Sequence, residues 1–314
     1  MKFYEKYING KQYSYAQSDI HIAKGKRIRR YASLGPVESQ SKSDRLKKFI
    51  EKLKGEESAM RSQYWSDRCK DSKFTKYSSI KKIEDRRSKL VWNTEKIGDL
   101  AASLVRDEYQ IEFIVNSNQI EGSKVPRKIA EDQILHPAKS IDAESKNATK
   151  AIHFVETNFQ FGPLLHVNEL QEILLAHDPK NIGFRTESRI VADVDVLEWQ
   201  DIKKELRHLL DRYKAQKWKT YPPKLAFDFY YAFERIHPFW DGNGRTGRLL
   251  MNRILQDSGY PPIIIWNQNR ARHLNVFKKR MDGRPEYFYR FMTQQMMKSY
   301  NFFQKKLSEV KVVK

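Results

Sequence analysis

Residues 222–257, PPKLAFDFYYAFERIHPFWDGNGRTGRLLMNRILQD, leave the chain few folds to choose from. Up to Ile236 the apolar residues recur at helical spacing and on more than one face, which marks a helix buried inside a protein. Pro238 has no amide hydrogen and its ring resists helix continuation, so the chain turns there. Gly242 and Gly244 allow positive φ and close backbone approach. A second helix, RTGRLLMNRILQ, then begins beside the turn. Two buried helices meeting at a glycine turn demand more helices around them. VNELQEILLAHD, DIKKELRHLLDRYKAQ and the apolar stripe from about Asn93 to Gly122 supply that pattern. One piece differs: ESRIVADVDV alternates as a strand does and follows NIGFR. The expectation is a mainly α body with one short, exposed extended segment.

The front third reads differently. From Lys2 to Leu34, aromatic or aliphatic residues alternate with polar ones, interrupted at NGK and KGK, and Asn-Gly is a strong hairpin signal. Residues 1–45 are therefore expected to form a small, basic sheet of two or three strands, ending in a linker, GPVESQSKS. Residues 46–92 follow as a charged helical connector, and 93–314 as the main helical domain. Net charge is +20, and residues 1–90 hold 24 Lys and Arg against 11 Asp and Glu. Such an excess suits either an anionic partner or a solvated basic face. Interleaved Tyr, Phe, Lys and Arg leave a nucleic acid open as a partner of this region, beside recruitment of a target or cover for the core.

Cys69 is the only cysteine, which excludes an internal disulfide framework and a thiolate metal cluster. No apolar stretch approaches membrane-spanning length, and MKFYEKYING lacks a signal-peptide core. The expected setting is cytoplasmic, with no membrane contact.

The turn at 237–248 gathers one imidazole, one carboxylate, three glycines and two guanidinium groups. A helix N-terminus facing the turn is an anion site. Arg245 and Arg248, three apart, share a face and suit phosphate oxygens. Asp241 among these cations makes sense as a carboxylate holding Mg²⁺ against phosphates. His237 is the one general base. The ensemble reads as a nucleotide site.

The stretch HPFWDGNGRTGR resembles the Fic signature HPFx(D/E)GNGRxxR at every specified position, and the likeness extends over about residues 93–300. The resemblance implies a Fic-type helical core with a β-hairpin flap. It also implies transfer of AMP from ATP, with Mg²⁺, to a hydroxyl of a target protein. By that likeness His237 deprotonates the Ser, Thr or Tyr hydroxyl and Asp241 holds Mg²⁺. Asn243 and the amides around Gly242 and Gly244 grip the α- and β-phosphates. Arg245 binds phosphate and Arg248 reaches the γ-phosphate. Gly244 stands where the phosphate-transferring Doc relatives carry lysine, which favours nucleotidyl transfer.

SNQIEG, Ser117–Gly122, resembles the family's inhibitory pattern (S/T)xxxE(G/N), here on a helix expected near 112–122. Ser117 and Glu121, four apart, are expected on one helix face, with Glu121 paired to Arg248 in the γ-phosphate position. In some relatives that glutamate also supports removal of AMP, so de-AMPylation stays open. Ser188, Arg189, Ile190 and Val191 are expected in the flap, an edge on which an extended target segment can pair. After PPIII, His273 and Leu274 stand where tyrosines contacting the base are expected, and a basic residue near Arg280 replaces a small or amide one. UMP or another nucleotide therefore stays open as the group transferred. Self-modification and a homodimer stay open, as does a second class of function, a nucleic-acid-binding regulator that merely senses nucleotide.

Overall fold

The computed structural model describes residues 1–69, 74, 77–97, 99–137, 142–191 and 194–310, and they fall into two compact units, Met1–Trp92 and Asn93–Lys314.

In the first unit, β1 (Lys2–Ile8), β2 (Lys11–Ala23) and β3 (Lys26–Pro36) form an antiparallel sheet in the order β1-β2-β3. The Asn-Gly signal makes the first turn as expected. Asn9 and Gly10 both take positive φ, 49° and 75°, the twist that a two-residue hairpin needs. Alternate β2 residues, Ser14, Ala16, Ser18, Ile20 and Ile22, are buried. Phe49, Ile50 and Leu53 of α1 (Lys42–Arg68) join them, with Leu34 and Trp92, in one apolar cluster.

The charged stretch is helical. It supplies α1 and the start of α2 (Tyr77–Ile97), and α1 shares a core with the sheet. Several of its charges point inward. Arg61 donates to Glu84 at 2.6 Å and to the carbonyls of His21 and Ile22, while Glu57 accepts from Arg87 at 2.8 Å and from the Trp92 indole at 2.7 Å. Buried charges survive only when paired in this way.

The second unit is helical: α3 (Asp99–Ile120), α4 (Arg127–Leu135), α5 (Ala143–Thr157), α6 (Leu164–Leu175), α7 (Ile202–Gln216), α8 (Pro222–Ile236), α9 (Asn243–Asp257), α10 (Arg270–Met281) and α11 (Pro285–Glu309). The α8–α9 hairpin lies at its centre. α3, α5 and α6 pack on α9, and α7 and α11 on α8. The run from Asn243 to Asn252 is buried on every side, although seven of its ten residues are polar or glycine. A helix this polar can lie there only because its side chains are partnered by the surrounding elements.

The strand-like segment is reduced to β4 (Ile190–Val191) paired with β5 (Val194–Asp195), and residues 192–193 between them lie outside the described residues. Among the described residues no helix is long and apolar enough to cross a membrane.

Candidate active site

α8 ends as its sequence dictates. His237 caps it in the left-handed conformation, φ 48°, with its amide donating to the Phe233 carbonyl at 2.9 Å. Positive φ is uncommon for a residue with a side chain and persists only where the surroundings hold it. Arg185 does that work. Its guanidinium is 1% exposed and donates through Nε to the His237 carbonyl at 2.8 Å, through Nη1 to Glu187, and through Nη2 to Leu197 and Ile236. Its own amide donates to the Pro238 carbonyl at 3.0 Å. One side chain therefore ties the base of the flap to the end of α8. Phe184 bridges to Phe239 in antiparallel fashion beside it.

The turn is closed from within. Asn243 accepts the Phe239 amide through Oδ1 and donates Nδ2 to the Phe239 carbonyl, both at 2.9 Å. Gln171, fully buried on α6, donates to the carbonyls of Asn181 and Asp241 and accepts the Gly183 amide. Phe239 is fully buried, whereas Trp240 beside it is only half-buried. Gly242 starts α9 at φ 80°, and a Cβ there would meet Leu175 Cδ2 at 2.8 Å. The first amides of α9 have no carbonyl within the helix to donate to, and they face this turn.

Two expected phosphate ligands are already engaged. The Asn243 amide is spent on the turn, so its side chain is a brace. Arg245, 5% exposed, bridges Glu144 at 3.2 Å and Asp241 at 3.0 Å. Asp241 also accepts the Gly242 amide at 2.6 Å. Among the described residues no three metal-ligating side chains cluster. The Asp241 side chain is 46% exposed, however. Mg²⁺ takes most of its ligands from phosphate and water and needs only one or two carboxylates, so this donor set fits it.

Arg248 is where the sequence placed it, and so is its partner. It is 2% exposed. Nε donates to Ser117 Oγ at 3.0 Å, and Nη2 to the Ser117 carbonyl at 2.9 Å and to Glu121 Oε1 at 2.7 Å. α3 ends at Ile120, so Glu121 stands in the turn after the helix rather than on its face. A Cβ on Gly244 would lie 2.0 Å from Glu121 Oε1, so the carboxylate sits directly over the N-terminus of α9.

His237, Gly244, Arg248 and Glu121 open on a cavity of about 330 Å³, whose far wall includes Leu274, Phe277 and Met281 of α10 and Val191 of the flap. Burial first, then Arg189 and Arg185, push the His237 imidazole down to about 4, so it is neutral at pH 7. His273 also borders the cavity but is fixed between Tyr230 and Phe291, and burial pushes it down to about 3. Arg280 is absent from this wall. It turns to a separate cavity of about 580 Å³, pairs with Asp228 at 2.7 Å and covers the Tyr231 ring. In the flap, Ser188 donates to Glu198 at 2.6 Å, Arg189 donates to the Trp240 carbonyl, and Ile190 is 69% exposed.

Sequence reasoning missed Gln171, Glu144 and Glu234, which carry no motif of their own. Arg185 was visible as GFR, but without a role.

The Fic/DOC family model matches residues 163–255, from the start of α6 nearly to the end of α9. Over 228 residues, 68% of this chain and 53% of the relative, the sequence is 30% identical to the protein adenylyltransferase Fic of Nematostella vectensis. It is 31% identical over 211 residues to the protein of the same name from Culex quinquefasciatus, 62% of this chain and 42% of that one. The chain thus spans about half the length of the curated relatives it matches. Among solved structures, a Fic-domain-containing signaling protein from Bacteroides thetaiotaomicron superposes with TM-score 0.64 at 19% identity, covering 75% of this chain and 99% of that one. Fic-1 from C. elegans gives 0.63 at 20%, covering 82% and 79%. With the signature residues, the α8–α9 hairpin and the flap base all in place, this chain carries a Fic domain.

Proposed function

We propose that this protein is an autoinhibited, Mg²⁺-dependent protein adenylyltransferase that moves AMP from ATP to a Ser, Thr or Tyr hydroxyl of a target protein or of itself. The observation that carries this reading is the neutral His237 at the mouth of a cavity whose floor is the α9 N-terminus and the buried Arg248. Sensing phosphate needs no base, so a binding-only role leaves His237 without a purpose.

In the reaction the acceptor oxygen attacks the α-phosphorus of ATP. The new O–P bond forms as the bond to pyrophosphate breaks, and the hydroxyl proton passes to His237. The free amides at the start of α9 hold phosphate oxygens in place. Mg²⁺, held by Asp241 and the phosphates, would neutralise charge on the leaving pyrophosphate. Arg245 acts through Asp241, fixing the carboxylate by their 3.0 Å contact. Arg248 is reserved for the γ-phosphate, and Glu121 keeps that place filled. The exposed edge at Ile190 presents backbone groups on which an extended target segment can pair, bringing its hydroxyl to His237. Leu274, Phe277 and Met281 offer an apolar surface for a base without selecting adenine by hydrogen bonding.

The test is incubation of the parent, Glu121→Gly and His237→Ala with Mg²⁺ and ATP labelled at the α- or the γ-phosphate, with UTP in parallel. α-Label on protein in Glu121→Gly, absent in His237→Ala, is the expected result. γ-Label on protein would replace this reading by phosphate transfer, and label from UTP alone would replace AMP by UMP. Release of AMP from the labelled product by the parent would extend the reading to de-AMPylation.

A further inference from the structure

Glu234 lies one helical turn before His237 on α8, inside the active-site cavity, and the reaction as derived above leaves it unused. Its Oε2 stands 3.9 Å from His237 Nδ1, too far for a hydrogen bond. Both groups are short of partners: Glu234 Oε1 and His237 Nδ1 are buried and make no hydrogen bond of normal geometry. The carboxyl oxygen that faces the ring is Oε2, and a small closure of the side chain gives the buried Nδ1 a carboxyl partner beside the Glu234 backbone carbonyl. The surroundings leave room for the carboxyl on purpose. A Cβ on Gly247 would approach Glu234 Oε1 to 3.1 Å, so the glycine of the signature's variable position makes its pocket.

Given the transfer reaction proposed above, we propose that Glu234 is a positioning residue for His237. Its carboxyl closes on Nδ1–H, holds the ring with the Nε2 lone pair toward the acceptor hydroxyl, and counters the imidazolium charge when the proton arrives. The balance is simple: the hydroxyl proton goes to Nε2, Nδ1 keeps its own, and the carboxylate remains ionised beside the cation.

The charged and titratable groups around this pair come from five elements. The end of α3 brings Glu121, α9 Arg248, α8 Tyr230 and Arg235, the flap region Arg185 and Arg189, and α10 Arg270, His273 and Lys278, which line the same cavity. Burial first, and then Glu121, push the Glu234 carboxyl up to about 8, against Arg248. With Glu121 seated, the carboxyl therefore carries its proton at neutral pH, and the base lacks its counter-charge. Removing Glu121 removes the smaller of the two causes, so the Glu234 carboxyl ionises more readily, while burial still holds it above the usual carboxylate range. The backbone carbonyl of Glu234 also lies near Nδ1 and survives any substitution, so side-chain variants isolate the carboxyl's part.

The experiment uses the 314-residue chain carrying Glu121→Gly, alone and combined with Glu234→Gln or Glu234→Asp, and follows α-labelled ATP incorporation from about pH 5 to 9. Glu234→Gln keeps the shape and loses the charge. Its kcat is expected to fall about tenfold or more while KM for ATP stays within about twofold, as for loss of an interaction made in the transition state. Activity of the Glu121→Gly protein should rise as the Glu234 carboxyl, held above the usual carboxylate range by burial, ionises within this window, and that limb should be missing in Glu234→Gln. Glu234→Asp should keep the limb in place with an intermediate kcat. ¹⁵N-histidine spectra give a second readout: the His237 Nδ1 resonance should move in Glu234→Gln. A superimposable pH profile, or an unmoved Nδ1 resonance in a folded Glu234→Gln protein, overturns the proposal. No α-label from Glu121→Gly itself would instead sink the transfer reading, and the ¹⁵N spectrum would still decide the contact.

Discussion

Glu121→Gly is the perturbation whose size follows most directly from the structure. Glu121 Oε1 accepts from Arg248 Nη2 at 2.7 Å, with the arginine 2% and the glutamate 31% exposed. A hydrogen bond between charged partners contributes about 1.5–3 kcal/mol. A γ-phosphate reaching Arg248 must displace that contact and forfeits its energy. At about 1.4 kcal/mol per factor of ten, removing Glu121 should raise productive ATP use about 10- to 100-fold. The variant should also show a cost without nucleotide. Arg248 keeps Ser117 Oγ and the Ser117 carbonyl but loses its counter-charge, so stability should drop by about 1.5–3 kcal/mol. For a domain of this size that is a fall of about 3–10 °C in Tm, and saturating ATP should restore it. The assay is α-label incorporation at several ATP concentrations, paired with thermal unfolding with and without ATP. Transfer no faster than the parent's, together with an unchanged ATP-induced shift in Tm, would refute the assignment of Glu121 as the brake.

Three further perturbations test other parts. His237→Ala in the Glu121→Gly background should lower transfer about 10²- to 10⁴-fold, the usual yield of a general base, and leave ATP binding by calorimetry intact; equal loss of binding would assign His237 to the nucleotide instead. Arg185→Met should destabilise the chain by about 3 kcal/mol or more, since the carbonyls of His237, Glu187, Leu197 and Ile236 lose their shared donor; unfolding in denaturant that matches the parent's would show that the flap base is held otherwise. Stability should also fall on acidification. His237 and His273 have folded pKa values near 4 and 3 against 6.5 unfolded, so the unfolded state takes up protons first and each histidine removes stability as pH drops below 6.5. Glu234, raised to about 8, works the other way and regains stability over the same range. From pH 6.5 to 4.5 the net loss should be about 2–3 kcal/mol, roughly doubled in Glu234→Gln, as followed by denaturant unfolding. A flat dependence in that variant would contradict the neutral buried histidines.

Legibility tracked how local the physics is. The Asn9-Gly10 turn, the break at Pro238 and the Gly242 start of α9 rest on backbone preferences carried by single residues, and each lies where the sequence puts it. The same holds for Ser117 and Glu121, whose spacing delivers both to Arg248 although the helix stops one residue short of the glutamate. The partners these side chains take were not legible. Asn243 and Arg245 look like phosphate ligands in the string HPFWDGNGRTGR, yet the first braces the turn and the second binds Glu144, 101 residues away in the chain. Arg280 was set against the base and instead lies over Tyr231 and Asp228.

The sequence by itself determined the periodicity of the helices, the turns that end them and the set of groups gathered at 237–248. Those are properties of a few neighbouring residues and their allowed φ and ψ. Only the tertiary structure decided which of these groups are free. A guanidinium or an amide in a motif can serve a ligand, the backbone or another side chain, and the choice depends on what α3, α5, α6 and the flap bring within 3 Å. Arg185, Gln171 and Glu234 matter for that reason alone. Each is an unremarkable letter in the chain, and each takes its role from long-range packing that buries it beside the catalytic turn.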